Sequence, residues 1–288
     1  MKLEINKNGN IAVEGSENEI IAAIGKLRIG TGNDRDKIEP MLPIGARIGG
    51  REIASICEYG DARRRFRLGD MMSIKHRTLG GSGNTIDCRI VRLCDTGMVI
   101  AAIYPITEMQ FDAAEKKRNA KKHEHPTAIR AEYGSNAYHE SAIRQWLNSD
   151  RPKGEWWEGQ HGWDNPPEEL DKIDGLLAGF DDDFIGCLGY CDCITARPLG
   201  NKGESITTRD RFFLPSVTEI TGEPNNGVME GTKFAYADKI AKGYNWLRSP
   251  YASYADFVAI VNTSGAFSIN NAIIAVGVAP ACVIGKIY

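Results

Sequence analysis

Residues 246–281 read WLRSPYASYADFVAIVNTSGAFSINNAIIAVGVAPA, and the fold is decided by how this stretch is read. Apolar, β-branched runs at 257–261 and 266–269 flank Asn262-Thr263-Ser264-Gly265, a turn composition. Asn270-Asn271 supplies a second turn before another extended run at 281–287. Trp246 and Leu247 are large apolar anchors and read as core. Arg248 is expected to fork onto backbone carbonyls or a carboxylate and so fix the path of the segment. With Pro250, Gly265, Gly277 and Pro280 these residues form a candidate frame. Between them, Tyr251, Ser253, Tyr254, Asp256, Asn270 and Asn271 are not core types as a set. Tyrosine offers large contact area at low entropy cost, and serine and asparagine adapt their hydrogen bonding, which suits recognition. Phe257, Ile260, Ile273 and Ile274 stand between core and contact, because strand alternation must bury one face.

Upstream the chain is helical in places. Ala142, Ile143, Trp146 and Leu147 share one helix face. A second helix is expected from Asn165, with Pro166 at its first position and Leu170, Ile173, Leu176 and Leu177 buried. Ser216-Val217-Thr218-Glu219 is a capping box opening a third, short helix. Further back, runs at 88–93 and 98–104 around Asp95-Thr96-Gly97 read as a hairpin. Arg63-Arg64-Arg65-Phe66-Arg67 reads as a solvated strand edge or turn, Asp181-Asp182-Asp183 as a solvated turn, and 115–125 as an exposed loop or helix. Residues 1–50 read as a separate attachment element, or alternatively as the first hairpin of a single domain: a hairpin about Asn8-Gly9, a helix over 19–27 capped by Ser16 and Glu19, and a Gly- and charge-rich linker at 31–40. Strands at the start, helices in the middle and strands at the end do not alternate as βαβ. The expected class is therefore α+β with antiparallel sheets and a few flanking helices, residues 51–288 forming the main domain.

Bulk properties narrow the function. A net charge of -3 over 288 residues gives no electrostatic case for nucleic-acid binding. Apolar runs are too short for a membrane span, and no signal peptide follows Met1-Lys2, so synthesis in the cytoplasm without membrane insertion is expected. Seven cysteines, an odd number, argue for reduced thiols. The spacing of Cys187, Cys191 and Cys193 does not match a structural zinc site. Glu223-Pro224-Asn225 resembles a sugar-binding calcium triplet but lacks the further oxygen ligands that calcium needs, so no metal and no cofactor are expected. No hydrolase elbow, Walker loop or zincin motif is present, and none of the five histidines stands in a catalytic motif.

Four motifs occur in order: Ile143-Arg144-Gln145-Trp146-Leu147-Asn148, Phe213-Leu214-Pro215-Ser216, Trp246-Leu247-Arg248-Ser249-Pro250 and Gly277-Val278-Ala279-Pro280-Ala281. Over about residues 65–288 the set resembles a bacterial and phage family with a C-type-lectin-like fold. That family is related to the variable proteins of diversity-generating retroelements and, more distantly, to formylglycine-generating enzymes. Ala279 departs from the pattern, which usually has arginine there. The resemblance implies non-enzymatic binding of a protein or glycan on a cell surface through a diversified face at about 246–277, on a virion-associated or surface-displayed protein. Relatives of this kind trimerise in some cases, which leaves room for a homo-oligomer. Adenine mutagenesis of the retroelement type, acting on AAC or AAT codons, never yields Lys, Glu, Gln, Met or Trp, and residues 247–285 contain none of them. Burial of a β-rich core would also exclude Lys and Glu. The alternatives are a structural phage or surface protein carrying a lectin-like decoration, and an oxidase of the formylglycine-generating type using Cys187 and Cys191. Against the oxidase stand a missing Arg-Gly-Gly-Ser-Trp signature and the lack of a basic sequence neighbour to activate either thiol.

Overall fold

The computed structural model describes residues 2–5, 11–14, 50–81, 83–116 and 126–287. The chain divides into two compact units, Met1–Met41 and Leu42–Tyr288. The first contains an antiparallel pair, β1 (Lys2–Ile5) and β2 (Ile11–Glu14). The Asn8-Gly9 turn, the 19–27 helix and the 31–40 linker lie outside the described residues, as does most of the 115–125 segment.

The second unit is α+β. Its strands are β3 (Met71–Lys75), β4 (Thr85–Cys94), β5 (Gly97–Ala102), β6 (Thr107–Met109), β7 (Cys191–Ala196), β8 (Ser205–Asp210), β9 (Phe212–Phe213), β10 (Asn245–Pro250), β11 (Phe257–Val261), β12 (Phe267–Asn271), β13 (Val276–Val278) and β14 (Ala281–Gly285). One five-stranded sheet runs β3-β4-β5-β14-β9, a second runs β12-β11-β10-β13-β6, and β7-β8 form a ribbon. All ladders are antiparallel except β10 with β13, where Asn245 faces Gly277. A side chain at Gly277 would meet the Tyr244 carbonyl at 2.4 Å, so this close approach requires glycine.

The first sheet is covered on both faces, which explains why its central strands read as unbroken apolar runs. Met98, Ile100, Ala102, Cys282 and Ile284 enter the main core, whereas Val99, Ala101, Ala281 and Val283 enter a second cluster. The main core also takes Ile143, Trp146 and Leu147 from the helix Ala142–Leu147, which Ser141 caps by accepting from the Arg144 N–H at 3.3 Å. The helix Val217–Thr221 carries the capping box between Ser216 and Glu219. Among the described residues, no helix is long and apolar enough to cross a membrane.

Four local expectations are corrected. No α-helix forms from Asn165; a 3-10 turn at Leu176–Gly179 takes its place, with Leu170 and Ile173 only partly buried. Local carbonyls there serve tertiary donors: Leu170 accepts from the Gly154 N–H, while Ile173 and Asp174 accept from the Trp156 and Trp146 indoles. Arg63, Arg64 and Arg65 lie on a short helix, Ala62–Arg65, pinned where the Ala62 N–H donates to the Asp95 carbonyl. Asp181 caps the helix Asp182–Cys187 by accepting from the Phe184 N–H at 2.7 Å, and Asp183 accepts from the Arg51 N–H at 3.1 Å. Asn270 and Asn271 belong to β12, and the chain turns after them.

Candidate recognition surface

The frame residues are buried. Trp246 enters the main core, donates its indole N–H to the Met109 carbonyl at 2.9 Å and meets Phe111 edge-on at 5.6 Å. Leu247 faces the other way, into a small cluster with Val217, Ala259 and Val261. Pro250 and Pro280 are buried at strand ends, with the Pro280 carbonyl accepting from the Ala102 N–H. Gly265 closes the β11–β12 turn with φ +79°.

Arg248 is 1 % exposed and reaches both kinds of acceptor expected of it. It donates to the Leu214 carbonyl at 2.7 Å, the Glu219 carboxylate at 2.6 and 3.2 Å, the Ile194 carbonyl at 3.4 Å and the Glu230 carbonyl. Burial is the largest single influence and works against its charge, but Glu219, Cys193 and Glu230 together outweigh it and raise its pKa. Glu230 is also buried, and burial raises its pKa although Ser249, the Ala196 N–H and Asn225 donate to it. Asn225, of the calcium-like triplet, also donates to the Pro250 carbonyl at 3.0 Å, so it is part of this frame. Among the described residues, no three His, Cys, Asp or Glu side chains are arranged to hold a metal ion.

The next residues behave differently. Tyr251, Ser253 and Tyr254 are exposed, Phe257 is half-buried, and three rings cluster. Tyr251 and Tyr254 stack at 5.7 Å, and Tyr254 meets Phe257 edge-on at 5.5 Å. The Tyr251 N–H donates to the Phe257 carbonyl and the Tyr254 N–H to that of Tyr251, but most carbonyls of the loop are also held from outside. The Asn136 amide donates to the carbonyls of Tyr251, Tyr254 and Phe257 at 3.3, 2.7 and 2.9 Å. Its N–H and the Arg130 guanidinium both donate to the Ala255 carbonyl, and the Leu199 N–H donates to that of Ala252. A second loop lies at the same end of the β11–β12 hairpin, since Phe257 faces Asn271 in register. It too is clamped from outside: Phe111 and Asp112 N–H groups donate to the Ala272 carbonyl, and the Gln110 amide to that of Ile273 at 2.8 Å. Ile274 is exposed there; Asn270, Asn271 and Ile273 are half-buried.

Two residues proposed as contacts do not face outward. Ile260 is 1 % exposed and packs in the main core, because β11 is covered on both faces. Asp256 is also 1 % exposed; it accepts from the Asn271 amide at 2.6 Å, and burial raises its pKa. Asn136, Arg130 and Gln110 carry the clamp and went unread, since Gly134-Ser135-Asn136 looks like an ordinary turn and no spacing links it to residues more than a hundred positions away.

The absence of Lys and Glu divides along the same line. Residues 247–250 and 276–284 are buried, so burial alone accounts for them. Residues 263–267, 274 and 275 are exposed and still carry no charge, which burial does not explain.

Cys187 and Cys191, the two thiols that the oxidase alternative would use, fall in different clusters: Cys187 lies in the main core and Cys191 in the second cluster. Burial pushes the Cys187 thiol up to about 12. Cys191 is lowered, first by its hydrogen bond with Cys193 and also by Arg248, so the basic neighbour absent from the local sequence is supplied by the fold. The model of a family described as a domain of unknown function, DUF6273, matches residues 113–286. No curated protein and no solved structure matches the chain.

Proposed function

The chain belongs to the DUF6273 family, and on that footing we propose that it is a recognition protein on a C-type-lectin-like scaffold. It takes a protein or glycan ligand at the loop end of the β11–β12 hairpin, without metal or cofactor. The contact set is Tyr251, Ser253, Tyr254, Phe257, Asn270, Asn271, Ile273 and Ile274. Asp256 and Ile260 support it from inside. The α+β architecture, with antiparallel pairing and short flanking helices, is compatible with that scaffold.

One observation carries the reading: the carbonyls of Tyr251, Ala252, Tyr254, Ala255 and Phe257 accept from Asn136, Leu199 and Arg130, none of which lies in the loop. A surface that tolerates change needs a backbone whose path does not depend on its side chains, and this clamp supplies one. The exposed aromatic cluster offers rigid contact area, and the flanking amides offer adaptable hydrogen bonds.

The test is a displayed library randomised at residues 251, 253, 254, 270 and 274. Most members are expected to fold, and binders to unrelated proteins or glycans to emerge. A library that mostly misfolds, or that folds but yields no binder to any target, would falsify the proposal. The coding sequence gives a second check: a near-repeat of residues 246–277 nearby, differing at adenines, is expected.

A further inference from the structure

β12 is the last strand of its sheet, and its register on β11 fixes which backbone groups are free. The Ala272 N–H donates to the Asp256 carbonyl and the Asn262 N–H to the Ala266 carbonyl. In an antiparallel ladder this makes 258/270 and 260/268 the hydrogen-bonded pairs. The N–H and C=O groups of Phe267 and Ile269 therefore point away from β11, and they meet no partner among the described residues. The free run stops at Asn271, whose N–H is taken by the Asn270 side chain and whose carbonyl by the Ile274 N–H. The edge also lacks the usual guards against strand addition. No charged residue occurs from 257 to 285, no proline interrupts β12, and Phe267 is exposed.

We propose that two copies of this chain pair antiparallel through their β12 edges, about a two-fold axis at Ser268. Phe267 of each copy then faces Ile269 of the other as a hydrogen-bonded pair, so about four main-chain bonds satisfy the free groups of both edges. Phe267 packs across the strands on Ile269, and Ser268 meets its own counterpart on the opposite face. A second copy fits better than an unrelated strand for two reasons. Free groups at positions i and i+2 are self-complementary about the residue between them. An isologous contact also sets identical residues near each other, which an uncharged edge tolerates and a charged one does not. Antiparallel pairing points the two 251–254 loops away from each other. This inference does not rest on the ligand reading.

An edge of this length buries less surface than a permanent dimer needs, so a weak, reversible dimer that grows with chain concentration is expected. Sedimentation equilibrium of the full chain measures it. Phe267→Lys, at an exposed site, and Ile269→Pro, whose N–H faces outward, are each expected to weaken association at least ~10-fold. Circular dichroism melting checks that they fold. Ser268→Cys is expected to cross-link into a covalent dimer under mild oxidation, because facing residues of a non-hydrogen-bonded pair lie within disulfide reach. A wild-type chain monomeric at all concentrations overturns the proposal. So does a dimer unaffected by Phe267→Lys, or one that Ser268→Cys does not cross-link.

Discussion

Arg248 and Tyr251 are three residues apart and are held in opposite ways. Every guanidinium nitrogen of Arg248 is committed to a fixed acceptor, so the side chain determines the local structure. Tyr251 is held through its N–H and carbonyl alone, and its ring stands in solvent against Tyr254. The strand Asn245–Pro250 is thus defined by what its side chains are, and the following loop by what surrounds its backbone. The same contrast separates β11, buried on both faces, from β12, half-exposed at the sheet edge. A protein that keeps identity-dependent and identity-independent segments side by side can vary one without unfolding the other.

The largest test of that contrast is Arg248→Met. It leaves the buried Glu219 carboxylate without its cation and should cost about 3–5 kcal/mol in chemical denaturation. A loss near zero would mean that Arg248 does not define the strand. Asn136→Ala comes next. It strips the donor from three loop carbonyls, and about 1–3 kcal/mol should be lost. Faster hydrogen exchange at the Tyr251 amide is expected to accompany it, and unchanged exchange there would show that the clamp lies elsewhere.

A pH experiment probes the support under the second loop. Asp112 donates its N–H to the Ala272 carbonyl, and its carboxyl accepts from the Ala142 N–H at 3.1 Å. Burial pushes that carboxyl well above the usual carboxylate range; the Ala142 N–H opposes the shift, and Glu115 and Glu140 add to it. The folded state therefore binds the proton more tightly than the unfolded state. Between the ordinary carboxylate pKa and the raised one, stability falls as pH rises. Asp112→Asn keeps an acceptor for Ala142 but cannot ionise, so its stability should fall less across that window. Parallel pH curves for the two proteins would refute the assignment.

The smallest effect is expected on the exposed side. Tyr251→Ala and Tyr254→Ala lose a solvent-exposed stack and should each change stability by under about 1 kcal/mol. A loss as large as that of Arg248→Met would erase the distinction between the two segments.

Much of the frame was legible because it rests on local rules. Ser216 and Glu219 sit at capping-box spacing, Ala142, Ile143, Trp146 and Leu147 share a helix face, and Asn262 to Gly265 carry turn chemistry, with Asn262 Oδ1 accepting from the Ser264 and Ala266 N–H groups. The 165–177 segment failed for a physical reason. Its apolar spacing suits a helix, but Trp146 and Trp156 indoles and the Gly154 N–H take the carbonyls that a helix would use itself. Asp256 looked like a surface residue because carboxylates usually are; the Asn271 amide draws it inward.

By itself, the sequence determined most of the frame, because turn chemistry, capping and apolar anchoring act over a few positions. Only the tertiary structure decided that Asn136, Arg130 and Gln110 hold the loops, that Ile260 is core, and that β12 is an edge. Each of these depends on which distant strand or loop lies alongside, and pairing across more than a hundred residues leaves no period to read.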